Sequence, residues 1–427
     1  MVMRKWRLVL CAVSVLLVSG FMVSSPVLGA DQETLDRLEK IIRQQQTQIE
    51  AQQKALDDLQ QQVEALKGQT AKATVKAATD SPAAVKTGTP KASVKVYGQV
   101  NKAVLYSDDG HNEDLYLVDN DNSSTRIGLL ASINPNERYE IGTKIEVEYQ
   151  TNPSNQVSQE EKRIDDTDFE KRHLDLWVDA NNLGKFSLGW GSTASDGTSE
   201  MDLSGTGVVG YSSVGDMAGG QLFYNSNINA LSGTAIGDVF SNMDGLGRDE
   251  RIRYDSPNFN GFTGSVSYIA DGGGDFAVRY AAKMDAFKLA AAAAFANPGS
   301  TDNENEIDDQ LAGSVSVLHD SGFNGTFAMG MRDHKSGRDD GGFFYTKFGY
   351  RGRWCPLGVT SLSADYGRYS DIDADGDDAD TIGFQMVQDI QEWGTEAYLG
   401  YRLHKLDRNG ADYDNINAFM TGMRVKF

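Results

Sequence analysis

The sequence has few cysteines, few prolines and, after its first 30 residues, no long apolar run. Of 427 residues, 2 are cysteine and 8 are proline, whereas 45 are glycine. Cys11 lies in an apolar amino-terminal segment, so Cys355 is the only cysteine once that segment is removed, which excludes an intrachain disulfide. No later stretch approaches the roughly 18 apolar residues that a membrane-spanning helix needs. A disulfide-stapled fold and a helical membrane domain are therefore both excluded.

Basic residues and catalytic motifs are also scarce. Lys and Arg number 40 against 61 Asp and Glu, which gives a formal charge of −21. A chain this acidic is a poor ligand for nucleic acid. The histidines show no His-Glu-x-x-His context and no Gly-x-Ser-x-Gly motif accompanies them, so we expect no enzyme. They are His111, His173, His319, His334 and His404.

The amino terminus has the pattern of an export signal. Arg4, Lys5 and Arg7 precede an apolar run over 8–18, and small residues follow at Gly29 and Ala30. This order is typical of a secretory signal peptide over residues 1–30 that is removed on export.

Residues 31–67 predict an α-helical coiled coil. Apolar side chains recur at heptad position a (Leu35, Ile42, Ile49, Leu56, Val63), and at position d (Leu38, Leu59, Leu66) with Gln45 and Gln52 between them. The alternative is a lone amphipathic helix, which would not need so strict a period of 3.5. Residues 68–93 are rich in Ala, Lys, Thr and Pro and predict a flexible linker, whose lysines either contact an anionic polymer or are simply solvated.

From residue 94 onward the chain alternates apolar and polar residues, as in Tyr139–Gln150. Short connections and long polar connections follow each other in turn, the pattern of an all-β transmembrane barrel with about 16 antiparallel strands around an aqueous channel. One connection, residues 192–248, is far longer than a compact domain normally holds without a function for it. The predicted strands are 94–106, 123–133, 139–150, 170–180, 185–191, 249–256, 262–271, 275–284, 286–296, 309–319, 324–333, 343–352, 358–370, 380–389, 393–405 and 415–427.

Several stretches of the predicted barrel, residues 94–427, resemble the Gram-negative general porins. They are VKVYGQV (94–100), SSTRIGLLAS (123–132), LGKFSLG (183–189), RIRYDSPNFNGFTGSVSYI (251–269) and the terminal Phe427. The coiled coil and linker resemble those of trimeric porins of the DcaP type. The resemblance implies an outer-membrane homotrimer in which the third loop, here about 192–248, folds inward and narrows each pore. It also implies that the last strand, ending in Phe427, contacts the barrel assembly machinery.

The resemblance implies a pore constriction in which wall arginines face acids of the third loop. Arg126 matches the family's wall arginine, whereas Trp190 stands where the family often has another. A charge facing lipid costs about 2–4 kcal/mol at the bilayer midplane, so these arginines should face the lumen. They either orient solutes in a transverse field or merely neutralise lumen glutamates. The predicted constriction residues are Arg126, Arg248, Arg251, Arg253, Glu200, Asp202 and Asp216.

An acidic connection near the carboxyl terminus has part of a calcium-binding spacing. Asp371, Asp373, Asp375 and Asp377 follow an Asp-x-Asp-x-Asp pattern with Gly376, but Ile382 stands where a bidentate glutamate belongs. A bland external loop and weak Ca²⁺ binding both stay open, and no other cofactor is expected.

Together these features predict a passive diffusion channel for small hydrophilic solutes. Two alternatives remain: a channel selective for small anions such as dicarboxylates, and a structural tether between outer membrane and cell wall. Expected partners are outer-membrane lipid and lipopolysaccharide, two further copies of the chain, and peptidoglycan near the periplasmic coiled coil.

Overall fold

The computed structural model describes residues 92–164, 169–270, 272–299 and 307–427, and most of them form strands. The predicted signal peptide, the coiled coil and nearly all of the linker lie outside the described residues. The strands are β1 Ala92–Asp108, β2 Glu113–Asp119, β3 Arg126–Asn136, β4 Tyr139–Glu148, β5 Glu170–Ala180, β6 Gly184–Ser192, β7 Leu222–Asn225, β8 Ala230–Ala235, β9 Arg248–Asp255, β10 Phe262–Ile269, β11 Gly274–Met284, β12 Phe287–Asn297, β13 Ile307–His319, β14 Phe323–His334, β15 Gly341–Cys355, β16 Gly358–Ser370, β17 Asp378–Ile390, β18 Thr395–Asp407 and β19 Ile416–Lys426. Helical structure in the described ranges is limited to α1 Ile236–Val239 and 3₁₀ turns at Asp121–Ser123, Val214–Met217, Lys335–Gly337 and Gln391–Trp393.

Antiparallel pairing closes the main sheet into a barrel, because β19 pairs with β1. The sheet has 17 strands, but β2 and β3 share one position, since β2 pairs with residues 102–108 of β1 and β3 with residues 92–99. The barrel is therefore closed and has 16 strand positions, and the predicted all-β architecture is confirmed.

Strand β2 was not predicted, since the sequence indicated one polar connection over 107–122. The sheet is interrupted after β2 because side chains satisfy the backbone there: Asp119 accepts from the Thr125 amide at 3.1 Å, and Gln99 donates to the Ser124 carbonyl at 2.8 Å. The signal for β2 is its alternation, with Leu117 exposed and Tyr116 buried.

The barrel strands expose apolar side chains, and on strands such as β10 the opposite, buried face is polar. On β10, Val266 and Tyr268 are 50% and 59% exposed, whereas Ser265 and Ser267 are 6% and 4% exposed. A soluble protein would bury the apolar face, so this wall is built to face lipid.

Aromatic side chains form a row at each end of the wall. At the turn end, where connections are short, ring centroids lie 4.4–4.9 Å apart in the pairs Phe186–Tyr254, Phe262–Tyr280 and Phe323–Tyr350. At the loop end, where connections are long, the pairs Tyr401–Phe419 and Tyr149–Phe169 are 4.6 and 4.9 Å apart. Two such girdles mark the interfaces of a membrane barrel.

The last residue takes part in closing the barrel. Phe427 and Gly98 exchange two backbone hydrogen bonds of 3.0 Å. A Cβ on residue 98 would lie 2.6 Å from the Phe427 ring, so the close approach requires glycine there.

The long connection is more regular than the sequence predicted. We call residues 193–247 the long loop; it contains the hairpin β7–β8 and the helix α1. At Gly220 a Cβ would lie 2.4 Å from the Gln156 carbonyl oxygen, so this glycine lets the long loop cross the neighbouring connection.

Candidate functional site

The long loop is hydrogen-bonded to polar side chains of the wall. The amide of Ser195 donates to Asp275 on β11 at 2.7 Å. The amides of Met201 and Leu203 donate at 2.9 Å to hydroxyls of β13, Ser314 and Ser316. Side chains of the wall thus accept hydrogen bonds from loop amides that are not paired with a strand.

A buried lysine holds the next part of the loop. Lys347 on β15 is fully buried, and its Nζ donates to Asp202 Oδ2 at 2.7 Å, to the Gly210 carbonyl at 2.6 Å and to Ser204 Oγ at 3.2 Å. Burial alone would raise the pKa of Asp202, but the Lys347 ammonium outweighs it and holds that pKa below its ordinary value. Removing one partner of a buried pair costs about 3–5 kcal/mol, so this contact fixes the loop.

One side of the long loop packs into an apolar cluster with the wall. The loop contributes Val208, Val209, Val214, Met217, Phe223, Ile236, Val239, Phe240 and Met243. The wall contributes residues of β1, β2 and β13 to β19, among them Leu105, Tyr116, Ala328, Tyr345, Tyr369, Ile416 and Met420. Apolar contacts therefore join this side of the long loop to the wall.

A polar cavity of about 580 Å³ lies on the other side of the long loop. Its wall side carries three arginines, Arg126 on β3, Arg172 on β5 and Arg248 on β9. Its loop side carries five acids, which are Asp196, Glu200, Asp202, Asp216 and Asp244. Five of the seven predicted constriction residues therefore line one space, with bases facing acids.

The wall arginines differ in how many of their N–H groups already donate hydrogen bonds within the protein. Arg172 donates to Glu146 at 2.9 Å and to Glu148 at 2.6 Å. Within the described part of the chain, the hydrogen bond of Arg126 is a long one, 3.4 Å to Ser123 Oγ, and Arg248 Nε lies 4.0 Å from Asp196. Arg126 and Arg248 therefore keep donors for a solute.

Three of the loop acids, Glu200, Asp216 and Asp244, hold protons more strongly than free carboxyls. Burial, together with the charges of Asp244 and Asp216, raises the pKa of Glu200 well above its ordinary value. Burial and the neighbouring Asp196 raise the pKa of Asp244 to about 7. The negative charge of the cavity therefore changes near neutral pH.

Arg251 and Arg253 do not line this cavity. Arg251 donates to Asp175 at 2.6 Å and to the carbonyls of Gly189 and Ser192. Arg253 forms a bidentate pair with Asp255 and donates to the carbonyls of residues 192 and 193. Both arginines hold the base of the long loop.

Sequence reasoning missed Arg172, Asp196, Asp244 and Lys347. In a regular strand Arg172 would lie on the same face as Leu174, which faces lipid. A bulge opposite Glu146 and Val147 turns Arg172 towards Glu146 instead. Lys347 could have been found, since it alternates with exposed Phe348 and Phe344 on β15.

The acidic connection after β16 is held by arginines. Arg408 pairs with Asp373 and with Asp377, the latter at 2.6 Å, and Arg338 lies 3.6 Å from Asp375. Asp371 accepts from the Gly376 amide at 2.7 Å. Within the described ranges no group of three or more His, Cys, Asp or Glu side chains is placed to hold a metal ion. Calcium binding stays a prediction.

Solved structures share this architecture. The anion-selective porin of Comamonas acidovorans is 16% identical with a TM-score of 0.53, over 79% of this chain and 100% of that chain. Outer-membrane expressed OmpT of Vibrio cholerae is 14% identical with a TM-score of 0.53, over 81% and 100%. The channel DcaP of Acinetobacter baumannii is 12% identical with a TM-score of 0.49, over 81% and 100%. The matches to the Comamonas acidovorans and Vibrio cholerae proteins show the fold alone.

The sequence itself identifies the family. No curated protein matches the chain. In the described residues, no helix has the length and apolar character to cross a membrane. The profile of the Gram-negative porins matches residues 70–409. This match covers most of the chain, and with the closed barrel and its lipid-facing wall it indicates a diffusion channel of the outer membrane. The chain belongs to the Gram-negative porin family.

Proposed function

We propose that small hydrophilic solutes diffuse passively through the polar cavity, which is the narrow section of the pore. In this proposal the long loop folds into the lumen and leaves a passage only beside β3, β5 and β9. The observation that supports this proposal is that the two sides of the long loop differ. One side packs apolar residues against the wall, and the other faces the wall arginines across a cavity of about 580 Å³. No covalent step is involved.

Opposed charges would act on a solute in this section. Arg126, Arg172 and Arg248 lie on the wall, and the loop acids lie opposite. Charges in a narrow, low-dielectric passage are screened less than charges in open solvent, so they produce a transverse field that orients dipolar solutes.

Planar-bilayer recording tests the proposal. Purified protein should give stepwise conductance, and replacing residues 200–243 by a short Gly/Ser linker should enlarge each step because the narrow section is gone. Shortening the connection at 371–377 is the matched control and should leave the step unchanged. Equal steps in the long-loop deletion and the parent protein would place the narrow section elsewhere.

A second candidate is an anion-selective channel. It is favoured by the free donors of Arg126 and Arg248, and the Comamonas acidovorans protein with the same fold is an anion-selective porin. Reversal potentials in a salt gradient distinguish the two candidates, since a general channel would show weak selectivity.

We further propose a homotrimer held by coiled coils of residues 31–67 in the periplasm. The linker would lie near peptidoglycan, the aromatic girdles would contact outer-membrane lipid and lipopolysaccharide, and the Phe427 strand would contact the assembly machinery. Light scattering of the detergent-solubilised protein checks the oligomer. Calorimetric titration with Ca²⁺ checks whether Asp371, Asp373, Asp375 and Asp377 bind calcium.

A further inference from the structure

A second cavity, of about 870 Å³, lies nearer the turn end of the wall. We call it the turn-end cavity. Its lining includes three basic side chains, Lys185 on β6, Arg253 on β9 and Arg279 on β11, against two acids, Asp179 and Asp255. The cavity therefore has an excess of positive charge although the chain as a whole is acidic.

Arg253 is already neutralised within the protein. Its Nε and Nη2 donate to Asp255 at 3.0 and 2.7 Å, and its Nη1 donates to the Thr193 carbonyl at 2.6 Å. This arginine and Asp255 cancel each other, which leaves Lys185 and Arg279 against Asp179, the register partner of Lys185 on β5.

Arg279 has a donor without an acceptor. Its Nη2 donates to the Asp196 carbonyl at 2.8 Å, which fixes the guanidinium plane. Its Nη1 is buried and has no hydrogen-bond partner among the residues that the structure describes. A buried charged donor left unpaired is unfavourable, so this nitrogen is suited to an acceptor from outside the chain.

Lys185 supplies a second positive charge across the same cavity. Its Nζ lies 4.5 Å from the centre of the Trp177 ring, and Asp255 is its register partner on β9. Lys185 and Arg279 stand on β6 and β11, which are three strand positions apart, or roughly 14 Å between backbones at the usual strand spacing. Two long side chains can reach one small molecule across that distance.

We propose that the turn-end cavity binds a small oxyanion, a carboxylate or a phosphate. Arg279 Nη1 donates to one anion oxygen, and the Lys185 ammonium balances the remaining charge. The inference rests on the proposed function, because it places this site on the path of a solute that has passed the long loop. Anions therefore dwell at the turn end before they leave the barrel.

Calorimetric titration of the full-length, detergent-solubilised protein with succinate, and separately with inorganic phosphate, tests the site. Arg279→Gln should weaken binding about 10-fold or more, the loss expected for a hydrogen bond to a charged group. Lys185→Gln, which leaves the Arg279 contact with the long loop intact, should weaken it in the same direction. Lys283→Gln is the matched control, since Lys283 is an exposed base on the same strand as Arg279 and does not line the cavity.

Binding and conductance separate this inference from the proposed function. A protein that conducts but binds neither anion, or binds them equally in all three variants, refutes the site alone. A protein that binds succinate through Arg279 and Lys185 but carries no current supports the site and refutes the channel.

Discussion

Replacing Lys347 by methionine should release the long loop without unfolding the barrel. Methionine keeps most of the side-chain volume but removes the ammonium that contacts Asp202, Ser204 and Gly210. Asp202 would then be a buried carboxylate without a cation. The barrel strands keep their own backbone hydrogen bonds, so the loss falls on the loop.

The magnitude follows from the directions of two pKa shifts in the same loop. Burial and the charge of Asp196 raise the pKa of Asp244 to about 7. Burial would raise the pKa of Asp202 as well, but the Lys347 ammonium holds it below its ordinary value. Removing one partner of a buried pair costs ~3–5 kcal/mol, and this is the loss expected for Lys347→Met.

Hydrogen exchange followed by mass spectrometry measures this loss directly. In Lys347→Met the amides of residues 200–212 should exchange up to ~10³-fold faster, because each 1.4 kcal/mol is a factor of ten in the opening equilibrium. Single-channel current should also become noisier. In the matched control, Lys347→Met with Asp202→Leu, both charges are absent and most of the protection should return. Unchanged exchange in the single variant would refute the reasoning.

Lowering the pH from 8 to 5 should reduce cation preference, because Asp244 is charged only above its pKa of about 7. The same raised pKa favours the packed loop at low pH, so protection of the long-loop amides from hydrogen exchange should fall as pH rises through about 7. Asp244→Asn should flatten the pH dependence of both the cation preference and this protection. Arg126→Ser should raise cation preference at high salt, whereas Arg251→Ser should leave reversal potentials unchanged and lower thermal stability, since Arg251 is buried on Asp175. Deleting residues 35–66 should lower the dissociation temperature of the oligomer on gels while the barrel stays folded; equal temperatures would exclude a role for the coiled coil.

Most of the barrel could be predicted from the sequence because each strand carries its own period. The bounds of β5 and β16, 170–180 and 358–370, are those that the alternation predicts. The exposed apolar face makes this period clear even in strands with many charges. β2 was missed because its seven residues include three acids, a composition more typical of a polar loop.

The site could be predicted only in part, because its contacts join distant residues. Asp202 and Lys347 are 145 positions apart, and no local pattern links them. The alternation of faces along each strand correctly indicated that Arg126 and Arg251 point away from lipid. It could not show that Arg251 is hydrogen-bonded to Asp175 whereas Arg126 faces a cavity. The bulge that turns Arg172 interrupts the two-residue alternation, so a prediction based on that alternation could not find it.

The pairing of Phe427 with Gly98 has a kinetic consequence. The two residues that meet where the barrel closes belong to the first and last strands, so closure has the largest sequence separation of any strand pairing in the wall. Contacts of that kind form slowly, because the entropy of ordering the intervening chain is lost before the contact forms. Until β19 has paired, β1 has an open edge that can pair with other chains. Removal of the whole of β19 would therefore leave β1 and β18 as two free edges of an open sheet.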